Sequence, residues 1–200
     1  MIYVYYAAGL LLSAAGASLT VRADLGASPF VAMLVGLSET IGLTPGSWEV
    51  VIAILLITIN ALLSRSRPEA AGIITALLMG IGLDSGLYVL QQFPEPAGMM
   101  QQTTAFAAGL LLLACGTAVY LTTRVAPVPD DRFILLIQQR ADTTVFRSRT
   151  AVYIGFLVLA LLLGGPIGAG TLVTVAFSGM LVHHFMPLAA RAPAIQKSLP

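Results

Sequence analysis

Six apolar runs separated by polar breaks set the pattern of this chain: Tyr3 to Val21, Trp48 to Leu63, Ala71 to Leu90, Thr104 to Leu121, Thr150 to Leu163 and Gly168 to Met186. A helix crosses a bilayer with about 20 apolar residues, and about 17 is the lower end. Four of the runs are long enough as they stand. The second lengthens backward through Gly46 and Ser47, and the fifth through Val145 and Phe146 if Arg147 and Arg149 snorkel to the interface. The pattern therefore predicts an all-α polytopic membrane protein with six transmembrane helices. The first run resembles a signal peptide in its Ala15-Gly16-Ala17, but it has no positive leading region and is too long for a signal core, so it reads as a transmembrane helix.

Two stretches do not fit the spanning pattern, Leu25 to Trp48 and Val125 to Ser148, and they are related. The chain repeats at an offset of 100: Gly9-Leu-Leu-Leu-Ser-Ala-Ala-Gly16 meets Gly109-Leu-Leu-Leu-Leu-Ala-Cys-Gly116, Pro29 meets Pro129, and Thr44 meets Thr144. One residue of slippage then aligns Gly80 with Gly179 and Asp84 with His183. Residues 1–98 and 99–200 thus form two halves of a single membrane domain, joined by Gln91 to Gln102. In Val125 to Ser148 the longest apolar run is Phe133 to Ile137, too short to span, so each half is expected to hold three spans plus one short amphipathic or re-entrant segment.

Charge placement tests that count, because basic residues collect in short loops on the cytoplasmic side. Three spans per half put Arg65, Arg67, Arg124, Arg132, Arg140, Arg147, Arg149, Arg191 and Lys197 on one side and only Arg22 on the other; four spans per half leave no bias. An odd number of spans per half makes the halves inverted, with both termini cytoplasmic. Trp48 suits an outer aromatic belt and Tyr3, Tyr5 and Tyr6 an inner one.

Composition agrees with the bilayer assignment: 58% of residues are hydrophobic and 10% charged, against roughly 45–50% and 25% for soluble domains. A net charge of +1 supplies no basic field for nucleic acid. Cys115 is the single cysteine and reads as a small packed hydrophobe, so neither an intrachain disulfide nor a cysteine metal cluster is expected. No HExxH or G-x-S-x-G occurs, and Gly164 to Gly170 has neither the preceding strand nor the following Lys of a nucleotide loop. Enzyme activity and a cofactor are therefore not expected. The expected partners are the lipid bilayer, a small-molecule or ion substrate, and a second copy in a homo-oligomer.

Few residues are left that could carry chemistry. Asp84 shares a helix face with Gly72, Ala76 and Gly80, whose spacing is that of close helix packing. A carboxylate deep in a membrane helix costs about 2.5–3.5 kcal/mol and so calls for a partner or a wet cavity. Glu49 and its mate Arg149 open the second and fifth spans and read either as polar lining or as snorkelling ends. Pro29 and Pro129 stand where short helices start. Asp84, Glu49, Asp131 and Arg149 are the candidate substrate-lining residues, with Ser28 and Pro29 shaping the outer segment. Inverted halves, paired non-spanning segments and lone acids point to a small-solute transporter or permease. A non-transporting module that supports or regulates a partner complex is the alternative.

The motifs Leu25-Gly-Ala-Ser-Pro-Phe30, Gly36-Leu-Ser38, Gly42-Leu-Thr-Pro-Gly-Ser-Trp48 and Leu161-Leu-Leu-Gly-Gly-Pro-Ile-Gly-Ala-Gly-Thr171 resemble the bacterial YczE/YyaS/YitT-like membrane proteins over nearly the whole chain. That resemblance implies a multi-pass membrane fold and points toward transport without naming a substrate. The family pattern has S-P-W-D in the first half and G-x-G-P-R-D in the second. Here Ser28-Pro29-Phe30-Val31 lacks the acid, whereas Pro129-Asp130-Asp131 keeps the proline and the acid at Asp131. Tyr153 stands where the resemblance would place a Glu.

Overall fold

Eight helices and no strands make up residues 2–191, which the computed structural model describes apart from the side chains of Val145 and Phe146. Lys197, counted above among the cytoplasmic cations, lies outside the described residues. The helices are α1 (Ile2–Arg22), α2 (Pro29–Ile41), α3 (Pro45–Ser64), α4 (Ala71–Gln91), α5 (Met99–Thr122), α6 (Pro129–Arg140), α7 (Val145–Leu162) and α8 (Ala169–Ala189). Among the described residues α1, α3, α4, α5 and α8 are long and apolar enough to cross a membrane. The protein is a helical membrane protein. Helix α7 has 18 residues and carries Arg147 and Arg149 in its first turns. The short helices α2 and α6, of 13 and 12 residues, fall where the two non-spanning segments were expected.

Local chemistry explains the boundaries. Pro29, Pro45 and Pro129 stand in the first turn of α2, α3 and α6, where the missing N–H has no intrahelical partner to lose. Ser28, Thr44 and Thr144 turn their side-chain oxygens onto the amides of Val31, Ser47 and Arg147 as N-caps. Helix α2 ends at Gly42 with φ 100°, and α3 at Arg65 in the left-handed region with φ 51°.

The centre of the molecule is the crossing of α1 with α5, made possible by four glycines in two pairs. Gly9 lies against Gly116 and Gly16 against Gly109, so the helices run antiparallel and approach backbone to backbone. A Cβ at Gly9 would stand 2.7 Å from the Tyr120 nitrogen, and one at Gly109 2.9 Å from the Gly16 carbonyl oxygen. Without a water-driven hydrophobic force between helices in lipid, such close small-residue contact is a main source of association. Ser13 and Thr117 share a 3.2 Å hydrogen bond across the same crossing.

Helix α4 packs on α1 and α8 on α5, while each short helix packs on the other half. Helix α2 lies against α7, where Phe30 meets Phe156 edge to face at 5.1 Å. Its lead-in is tied to the start of α8 by the Ala27 amide donating to Pro166 (3.0 Å) and the Gly170 amide donating to Leu25 (2.7 Å). Helix α6 lies against α3: Asn60 donates to the Pro129 carbonyl (3.0 Å) and Arg140 to the Leu63 carbonyl, while Arg132 pairs with Glu69 at 3.0 Å. Both short helices start inside the protein, at buried Pro29 and Pro129, and run outward to exposed Ile41 and Arg140.

Candidate functional site

The buried starts of α2 and α6 converge on a cavity of about 70 Å³ at the middle of the bundle. All eight helices contribute. Its lining is made of matched positions: Ser13 with Leu113, Ala14 with Ala114, Ala17 with Thr117, Ser28 with Val128, Phe30 with Asp130, Val31 with Asp131 and Glu49 with Arg149, each 100 residues apart. Met79 with Ser178 and Leu83 with Val182 continue the series at 99, the slippage already visible in the sequence. Tyr120 and Tyr153 alone have no mate in the lining. A space of this size holds a few waters or a small polar group, since one water needs roughly 10–15 Å³.

One ion pair dominates the cavity. Arg149 Nη2 donates to Asp131 Oδ1 at 2.8 Å, with both side chains largely buried, and the Tyr120 hydroxyl donates to Asp131 Oδ2. The Arg149 guanidinium also lies 5.5 Å from the centre of the Tyr153 ring, a cation–π contact. Burying two charges is tolerable only when they are paired and hydrogen-bonded, and this pair is. Two polar atoms beside it are buried without a hydrogen-bond partner, Arg149 Nε and Ser178 Oγ. Such atoms are costly unless something supplies the missing bond.

The acids outnumber the base. Glu49 is 4% exposed and Asp130 lies in the first turn of α6; neither joins an ion pair among the described residues. The Asp130 carboxyl is pushed up to about 7, first by burial and then by the neighbouring Asp131 charge, with Arg149 pulling the other way. Its position at a helix N-terminus, where the dipole favours anions, limits that rise.

A second, apolar cavity of about 540 Å³ adjoins the first and shares Asp131, Arg149 and Val182 with it. It lies between α6 and α8, walled by residues such as Ile134, Leu135, Ala176 and Met180, with Leu121 of α5 and Arg149 of α7 at its inner side and exposed His183 and Met186 farther along α8. The corresponding gap between α3 and α4 is shut: Gly46 abuts Gly80, and a Cβ at Gly80 would stand 2.5 Å from the Gly46 carbonyl oxygen.

Of the residues singled out from the sequence, Glu49, Asp131, Arg149 and Ser28 meet at the central cavity. Pro29 is fully buried next to it as the first residue of α2. Asp84 does not line the cavity. It accepts from the Gly46 amide (2.7 Å) and Thr44 Oγ1 (2.6 Å), and so fastens the start of α3 to α4. Arg149, which also read as a snorkelling end, turns inward to Asp131 instead. Sequence reasoning passed over Tyr120, Tyr153, Asp130 and Ser178 as lining. For Asp130 the signal was available in its place beside Asp131 and Pro129, and for Tyr153 in its standing where the resemblance places a Glu; Tyr120 and Ser178 carried none. Among the described residues no group of three or more His, Cys, Asp or Glu side chains is arranged to hold a metal ion.

A profile described as "Family of unknown function (DUF6198)" matches residues 2–187, nearly the whole chain. The chain belongs to DUF6198. With this family come relatives in two bacteria. The chain is 47% identical over 191 residues to the uncharacterized protein YyaS of Bacillus subtilis strain 168, covering 96% of this chain and 95% of the relative. It is 28% identical over 208 residues to the uncharacterized membrane protein YczE of the same strain, covering 99% and 95%. An uncharacterized protein of Haemophilus influenzae is 27% identical over 183 residues, covering 90% and 81%. No solved structure matches the chain. The resemblance read from Leu25 to Phe30 and its companion motifs therefore stands, and DUF6198 membership reaches across both halves, including the segments that frame the cavity.

Proposed function

We propose that this DUF6198 chain is a small carrier of the bacterial cell membrane, with six spans in two inverted halves and a solute site at the centre. The observation that carries the reading is the cavity whose lining is built from matched positions of both halves around the Asp131–Arg149 pair. Carriers built from inverted repeats place their sites there, near the midplane at the repeat interface, with interrupted helices pointing their starts at it. On this reading α7 is the sixth span, α2 dips from the outer face and α6 from the cytoplasmic face, and both termini are cytoplasmic. Glu49, Asp131 and Arg149 are the polar contacts to solute, Ser28 borders it, and Asp84 holds the wall.

The antiparallel glycine crossing of α1 and α5 supports the inversion, because a two-fold axis in the membrane plane exchanges Gly9/Gly116 with Gly109/Gly16. The reading is tested with purified protein in proteoliposomes, screened against sets of labelled metabolites and organic ions. It expects flux of at least one solute, abolished by Glu49→Gln and Asp131→Asn and retained by Asp84→Asn. No flux of any solute, together with recovery of one stoichiometric partner from detergent extracts, would replace it with a supporting module.

A further inference from the structure

The two adjoining cavities differ in size and chemistry in a way that describes a ligand. One is small, about 70 Å³, and sets the carboxylates of Glu49, Asp130 and Asp131 and the single guanidinium of Arg149 among otherwise largely apolar walls. The other is large and apolar, about 540 Å³, and ends on the Asp131–Arg149 pair that both share. Arg149 pairs with Asp131, and neither Glu49 nor Asp130 joins an ion pair of its own among the described residues. Ser178, 4% exposed and on the polar lining, has an unpartnered hydroxyl.

The apolar space exists because α7 and α8 do not close as α3 and α4 do. Gly46 is what allows α3 to touch Gly80, and the matching sequence position in the second half is not a glycine. Among the described residues, the nearest atom to a Cβ placed at Gly179, the mate of Gly80, is Arg149 Cδ at 3.9 Å. A helix face that stays open beside a polar site gives a bilayer-dissolved molecule a sideways route to it.

We propose that the α7–α8 opening is a lateral portal for a single-chain amphiphile with a small cationic head, a long-chain primary ammonium being the simplest member. The hydrocarbon tail lies along Ile134, Leu135 and Met180, and the ammonium reaches the polar cavity, where its three donors meet Glu49, Asp130 and Ser178. Charge complementarity selects the head and the apolar walls select the tail. This rests on the carrier reading by naming the class of solute for its central site.

The test uses the full chain in lipid nanodiscs and a diazirine-bearing dodecylamine as photoprobe. Cross-links are expected on the segment Ala176 to Met186, competed by dodecylamine at least about tenfold better than by dodecanoate or dodecanol. Gly179→Phe, which fills open space, and Glu49→Gln should each cut labelling about tenfold. Gly155→Phe, also set in open space but outside either cavity, should leave it unchanged. Equal competition by dodecanoate or dodecanol would overturn the cationic head. A two-chain lipid that co-purifies and is lost in Gly179→Phe, or a homodimer that dissociates in that variant without any labelling, would overturn the portal. Labelling as expected with no dodecylamine flux in proteoliposomes would leave the portal standing and remove the carrier reading; flux of an unrelated solute with no labelling would do the reverse.

Discussion

The α3–α4 and α7–α8 interfaces occupy equivalent places in the two halves, yet one is sealed and the other open. In the first, Gly46 and Gly80 meet backbone to backbone and Asp84 ties the α3 amide at Gly46 and the Thr44 hydroxyl to α4. In the second, His183 stands at the position matched to Asp84, and an apolar space that ends on Arg149 and Asp131 lies beside α8. The paired glycines of the α1–α5 crossing hold the centre together, and Gly46 with Gly80 does the same at the α3–α4 interface, whereas no such glycine contact joins α7 to α8 among the described residues.

The comparison breaks most severely at the polar end of the open interface. Asp131→Asn removes the hydrogen-bonded ion-pair partner of buried Arg149, a loss of about 3 kcal/mol, visible as a large fall in melting temperature in detergent. Next comes the sealed interface. Gly46→Phe imposes the second-half residue on the first half, and because the obstruction is the Gly80 backbone rather than a side chain, α3 and α4 must separate. A loss of about 3 kcal/mol is expected, and cysteine pairs across α3 and α4 should no longer cross-link. Asp84→Ala removes the cap and its bond to Thr44 and should cost about 1–2 kcal/mol without abolishing binding at the central cavity.

A smaller effect sharpens the polar site. With its carboxyl raised to about 7, Asp130 keeps a proton in the folded protein that the unfolded chain, at about 3.9, gives up. Its contribution therefore favours the fold fully below about pH 4 and is lost as pH rises through about 7. Asp130→Asn should flatten that slope in melting temperature and leave the variant more stable than the wild type at pH 8. Last, Gly179→Phe adds volume to open space and should shift stability by less than about 0.5 kcal/mol; a loss as large as that of Gly46→Phe would mean that α7 and α8 are closed after all.

Much of this was legible in the sequence, for identifiable reasons. Apolar runs and the prolines at 29 and 129 marked where helices start, and Glu49, Arg149, Ser28 and Asp131, singled out for their chemistry, border one cavity. Asp84 misled for a physical reason. An acid in an apolar helix needs partners, but the partners here are a backbone amide and a hydroxyl one helix away, and a sequence does not display unsatisfied amides at a neighbouring helix start. Tyr120 and Tyr153 have small mates, Thr20 and Ala53, so the repeat could not announce them. The open interface could not be read either, since Gly46 and Gly80 each look like ordinary packing glycines until they are seen to touch.

The central claim is that the two halves enter the membrane in opposite senses around one shared polar cavity. Ser38 near the end of α2 and Gln138 near the end of α6 are matched positions, and single cysteines at each, in a Cys115→Ala background, can be labelled in intact cells and inverted vesicles with a membrane-impermeant maleimide. The account predicts that Ser38→Cys reacts only from outside and Gln138→Cys only from the cytoplasmic face. Reaction of both from the same face would contradict it.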